Sequence, residues 1–127
     1  MANITEILSE KIMVLDGAMG TMIQSYNLSE KDFRGDRFKT HSKDLMGNND
    51  ILCLTQPEIV QKIHEAYFKA GADIVETNTF NANAISQLDY GTESLSYEIN
   101  LEAAKIAKIA ASSFIDKPRF VAGARNY

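Results

Sequence analysis

K-I-M-V-L-D-G-A-M-G-T, residues 11–21, decides how this chain is read. Residues 12–15 are an unbroken apolar run, closed by Asp16, Gly17 and Gly20. Such a run suits a short strand buried on both faces, and a carboxylate followed by glycines suits the C-terminal end of a parallel strand. In α/β proteins, ligands are held at that end. The same residues also admit a plainer reading, a strand and tight turn whose aspartate caps the next helix.

Working outward, the clearest unit lies at 55–79. T-Q-P-E (55–58) has the form of a capping box, with Thr55 as cap, Glu58 as its partner and Pro57 in the first turn. Ile59, Ile63, Ala66 and Ala70, widened by Val60 and Tyr67, give the helical face, and Gly71 supplies a left-handed stop. A strand over 72–77 follows and ends in Glu76, Thr77, Asn78 and Thr79. Strand, crossover helix and strand make a βαβ unit, so the two strands are expected to be parallel.

The remaining segments fit the same order. Asn3 and Glu6 open a short helix over 4–9, and 21–26 forms a turn or two with Met22, Ile23 and Tyr26 inward. Residues 27–50 show no sustained period; Ser29 caps a single turn, 47–50 reads as a tight turn, and Phe33, Phe38, Leu45 and Met46 pin the connection down. A short helix is expected over 82–90, stopped by Gly91, and a longer one over 94–113 with the stripe Leu95, Ile99, Ala103, Ile106, Ala110 and Phe114. Phe120 begins a third strand. The predicted fold class is α/β: about three parallel strands with flanking helices, the N-terminal part of a TIM (β/α)8 barrel, a fold that needs about 250 residues when closed.

With 45% apolar and 24% charged residues, the 127-residue chain has the composition of one globular domain. A formal charge of -4 disfavours nucleic acid. No stretch reads as a signal peptide or a membrane span, and the cytoplasm is the expected location. A lone cysteine, Cys53, with His41 and His64, is a poor set of zinc ligands, and His64 lies inside a helical pattern as a packed residue. No metal site is expected within this chain.

The strand ends gather Asp16, Gly17, Ala18, Glu76, Thr77 and Asn78. Carboxylates beside exposed amides suit a zwitterion, the acids accepting an ammonium and the amides a carboxylate. They also suit acid–base work on a sugar, or a divalent cation. Spacing alone leaves these open, along with a structural role for Glu76.

V-L-D-G-A-M-G-T-M-I-Q-S-Y (14–26), D-F-R-G-D-R-F (32–38), G-N-N-D (47–50) and the run from P-E-I-V to N-T-F-N (57–81) carry a resemblance. Together they are similar to the N-terminal homocysteine-binding, or homocysteine S-methyltransferase, barrel of the cobalamin-dependent methionine synthase family. The D-F-R-G segment and the long 27–50 connection resemble that family more than its shorter relatives that use betaine or S-methylmethionine. The resemblance implies a partial homocysteine-binding domain over 1–127. It implies a full-length enzyme in which zinc, held by three cysteines on later strands, activates homocysteine. Methylcobalamin, recharged by methyltetrahydrofolate on a second module, then supplies the methyl group of methionine. The partners it implies are homocysteine, the remaining barrel strands and the cobalamin and folate modules, with no nucleic acid and no membrane. Carried onto this sequence, Asp16 is a substrate-ammonium contact, Gly17 and Ala18 are the turn beside it, and Glu76, Thr77 and Asn78 line the same pocket. The chain by itself is expected to hold no cofactor and to be inactive. The alternatives are a homocysteine S-methyltransferase using another small methyl donor, or a non-enzymatic half-barrel that oligomerises.

Overall fold

A computed structural model describes residues 3–123. Its centre is a pair of helices, α5 (Pro57–Lys69) and α7 (Ser96–Ser112), which make the most extensive contact between any two elements. From α5 come Val60, Ile63, His64 and Phe68, and from α7 Ile99, Ala103, Ile106, Ala107 and Ala110, all buried. Alanines along α7 let the helices approach closely, and each fully buried Val, Ile or Phe side chain stabilises the fold by roughly 1.5–3 kcal/mol.

Around this pair lie α1 (Ile4–Glu10), α2 (Met19–Gln24), α3 (Glu30–Arg34), α4 (Leu52–Thr55) and α6 (Ala84–Leu88). Strands β1 (Ile74–Glu76) and β2 (Phe120–Ala122) form a parallel sheet with Ile74 opposite Phe120 and Glu76 opposite Ala122. The described residues are thus mainly helical with a small open sheet. The expected fold class, three strands of a (β/α)8 barrel, is corrected to this two-stranded architecture.

The missing strand has a specific cause. Segment 12–15 touches β1 through a single parallel bridge, Leu15 to Ile74. At one end of that bridge the Val14 N–H is taken by the Asp73 carboxylate at 2.8 Å. At the other end the Glu76 N–H is taken by Asp16, whose two oxygens both lie at 3.2 Å. Each carboxylate occupies the donor that the next rung of a ladder would use, so pairing stops after one bridge. The apolar run is not buried either, with Ile12 91% exposed and Val14 55%.

Helix ends show what local sequence can and cannot specify. Ser29 and Asp32 form a complete capping box on α3, and Asn3 caps α1 by accepting the Thr5 N–H at 2.8 Å. The box predicted at Thr55 is absent: Thr55 closes α4, its hydroxyl donates back to Ile51 O at 3.3 Å, and Gln56 precedes Pro57 as an uncapped start of α5. Gly71 follows α5 at φ +112°, where a side chain would be strained. The end of α5 is held by a residue far along the chain: Arg119 donates to Phe68 O at 2.6 Å and to Ala72 O at 2.7 Å.

Segment 27–50 is ordered by an ion pair. Arg34 bonds Glu30 at 2.7 Å and reaches on to the carbonyls of His41 and Lys43, while Glu30 accepts the N–H groups of Leu45 and Met46. Phe33, Phe38 and Leu45 are buried beneath it, but Met46 is 59% exposed and pins nothing.

Candidate substrate cleft

At the C-terminal end of β1 lies a cleft of about 340 Å³, lined by residues 16–20, 47, 49–50 and 76–81. All six residues selected from the sequence, Asp16, Gly17, Ala18, Glu76, Thr77 and Asn78, border it. The Asp16–Glu76 bond that stops the ladder also fixes the mouth of the cleft, with the Asp16 carboxylate on the Glu76 N–H. Burial pushes the Asp16 carboxyl up to about 6; the Glu76 N–H opposes the rise and the Glu76 charge adds to it.

Gly17 is favoured by packing rather than by backbone conformation. A Cβ there would stand 3.0 Å from the Tyr67 hydroxyl oxygen and 3.2 Å from its ring. Tyr67 donates to Ala18 O at 2.9 Å, so helix α5 holds the glycine turn from behind. On the other side, Asn78 donates to Asn49 O at 2.9 Å and is in contact with Cys53 at 3.6 Å. Thr77 and Thr79 share a hydroxyl hydrogen bond of 2.8 Å.

Asp50 escaped the sequence reading. It is 2% exposed, lines the cleft, and accepts the Asn81 N–H at 2.7 Å. Burial pushes its carboxyl up to about 6, partly offset by the Asn81 N–H. Behind it, Asn48 and Gln87 exchange amide hydrogen bonds of 2.9 and 3.1 Å, and Gln87 also bonds Asn81 O and Thr92. The only sequence signal for this was the polar 47–50 turn, and nothing there distinguished Asp50 from a surface turn residue.

Metal chemistry finds no cradle among the described residues. No group of three potential ligands is brought together, and burial pushes the Cys53 thiol up to about 12, unlike a ready metal ligand. His64 is fully buried inside α5.

A cleft at the end of a parallel strand, walled by acids and a glycine turn, is of the kind in which α/β folds hold small molecules. The chain belongs to the homocysteine S-methyltransferase family, whose model matches residues 13–125. Two solved structures of the homocysteine methyltransferase MmuM from Escherichia coli share its fold. The oxidized form matches at 21% identity and TM-score 0.70, over 92% of this chain and 38% of its own. The metallated form matches at 20% identity and TM-score 0.70, over 93% and 39%. The chain therefore spans under two fifths of the length of those proteins.

These likenesses correct the narrower expectation of cobalamin-dependent methionine synthase. The family model points to homocysteine S-methyltransferases as such, the solved structures share the fold, and neither brings in cobalamin or methyltetrahydrofolate. The cobalamin and folate modules drop out as partners for the same reason, and the remaining barrel strands drop out with the corrected fold. Of the cofactors, only a metal keeps any link, since one matched structure is a metallated form, and no group of three potential ligands is found among the described residues. No helix among them is long and apolar enough to cross a membrane.

Proposed function

We propose that residues 1–127 form part of the homocysteine-binding domain of a homocysteine S-methyltransferase that uses a small methyl donor. The observation that carries this reading is the convergence of Asp16, Gly17, Ala18, Glu76, Thr77 and Asn78 on one cleft, in a chain of that family. Carboxylates on one wall suit the ammonium of an amino acid, and the amides of 18–20, which no side chain caps, suit its carboxylate. In the reaction the homocysteine sulfur, as a thiolate, displaces the donor's leaving group at the methyl carbon; an S–CH3 bond forms as the donor bond breaks. The cleft's share is binding and orientation, which fix the sulfur for in-line attack. None of its residues is placed as a nucleophile. One of the matched relatives is a metallated form, but no group among the described residues fits a metal, so no step is assigned to one here.

The test is calorimetric titration of the chain with L-homocysteine, followed by amide NMR. Saturable binding with shifts confined to 16–20, 49–50 and 76–81 is expected. Absence of binding, or shifts elsewhere, would refute the reading.

A further inference from the structure

Helix α1 is amphipathic, yet it buries no residue. Ile4, Ile7 and Leu8 share one face by their spacing of three and four, and Leu8 is 54% exposed. Glu6 and Glu10, four apart, run along one side of that stripe, and the helix carries no basic residue. Isolated helices shorter than about 12–15 residues are marginal in water, so a helix of 7 residues depends on packing that its own chain does not supply.

A groove of about 650 Å³ between α7 and β2 has the complementary character. Half-buried Phe114, Phe120 and Val121 line it together with Lys108, Lys117 and Arg119, and no acid is among its lining residues. Arg119 is paired with Asp116 at 3.0 Å and Lys117 with Asp73 at 2.9 Å. Lys108 has no acidic partner among the described residues.

Helix and groove lie at the same end of the molecule, opposite the cleft. Asp73, just before β1, takes Lys11 at the end of α1 at 3.4 Å as well as Lys117 of the groove. The helix is nevertheless kept from the groove of its own chain. It is tethered through 12–15, which bridges one edge of β1, whereas β2 pairs with the other edge. Crossing over would break the Val14–Asp73 bond and the Leu15–Ile74 bridge. A second copy has no such tether, and two complementary patches at one end of a molecule are matched by a two-fold rotation.

We propose that two copies of this chain associate end to end about a two-fold axis, each laying α1 into the groove of the other. Ile4, Ile7 and Leu8 then cover Phe114, Phe120 and Val121, and Glu6 and Glu10 meet Lys108. An apolar centre with charges at its rim is the usual build of an interface, and the charges set its register. The association is independent of the homocysteine reading, because the cleft stays open at the far end.

Sedimentation equilibrium of the full chain, from about 1 to 100 µM, tests this. A reversible monomer–dimer equilibrium is expected. Leu8→Glu places a charge in the apolar contact and should weaken the dimer at least about ten-fold. Lys108→Glu should weaken it as well, and adding Glu6→Lys and Glu10→Lys to that variant should restore it, which a merely structural role for these residues would not do. Tm at the lowest concentration reports whether each monomer is intact; if Leu8→Glu lowers it, the Lys108 series decides. A wild type that stays monomeric overturns the proposal, as does assembly that continues past the dimer. A dimer indifferent to the intact variants, or a charge reversal without rescue, overturns it too.

Discussion

Replacing His64 with leucine is expected to remove about 2 kcal/mol of acid sensitivity between pH 7 and pH 5. The ring is fully buried, and neither Nδ1 nor Nε2 has a hydrogen-bond partner among the described residues. Burial pulls its pKa down from 6.5 to about 4. Between those values the unfolded chain takes up a proton that the folded chain refuses, so stability falls as the pH drops through this window. One pKa unit corresponds to about 1.4 kcal/mol; little of the loss has occurred at pH 7, and about 2 kcal/mol has accumulated by pH 5. Asp16 and Asp50 work in the opposite direction. Their carboxyls are raised from 3.8 to about 6, so their contribution is present at low pH and lost as the pH rises through about 6. The wild-type curve mixes both signs, and only the difference between wild type and His64→Leu isolates the histidine. Urea unfolding followed by far-UV circular dichroism, at half-unit steps from pH 7 to pH 5, measures that difference. Leucine is close to histidine in volume and relieves two unpaired nitrogens, so the variant should already be about 1–3 kcal/mol more stable at pH 7. The gap should then widen by about 2 kcal/mol at pH 5. A gap that stays constant over the range would refute the account, because it would mean the buried ring keeps an ordinary affinity for protons.

Other substitutions probe the cleft and its supports. Gly17→Ala drives a methyl against the Tyr67 hydroxyl at 3.0 Å, and a loss of about 1 kcal/mol in urea unfolding is expected. Tyr67→Phe in the same chain should recover only part of that loss, since the oxygen is gone but a ring carbon at 3.2 Å remains and the bond to Ala18 O is lost. Asp73→Asn removes ion pairs to Lys117 at 2.9 Å and Lys11 at 3.4 Å. Burial raises the Asp73 carboxyl, but the Val14 N–H and the two lysines outweigh it and bring it to about 2. Its contribution is therefore complete above about 3.8 and lost as the pH falls through about 2. Allowing for solvent screening of the lysines, Asp73→Asn should cost about 1–2 kcal/mol at pH 7, with the gap to wild type closing below pH 4. Gln87→Leu strands the Asn48 amide and is expected to cost about 3 kcal/mol. Exchanging the pair, Asn48→Gln with Gln87→Asn, keeps the summed side-chain length and should restore part of that stability in the same assay.

What the sequence by itself determined is the part that depends on neighbours along the chain. Apolar spacing placed α5 and α7, Ser29 and Asp32 announced the cap of α3, and Gly71 marked the end of α5, because each effect acts within a turn or two. The Glu76–Asn78 segment was legible as a strand end, whereas the carboxylate-glycine segment follows a single bridge rather than a strand; the structure brings both to one cleft. Motifs at the ends of strands carry no mark of a methyl donor, and so they could not separate a cobalamin enzyme from its relatives. Tertiary structure decided the rest. Asp73 and Asp16 reach across sixty residues or so to take the amides that a first strand would have paired, leaving one bridge where a strand was expected. Thr55 closed one helix instead of capping the next, because α4 precedes it. Arg119, beyond α7 in the sequence, holds the end of α5. Asp50 became part of the cleft through Asn81 and the buried Asn48–Gln87 pair. Hydrogen bonds between distant residues leave no period and no local signature, so only the folded chain reveals which polar side chain meets which.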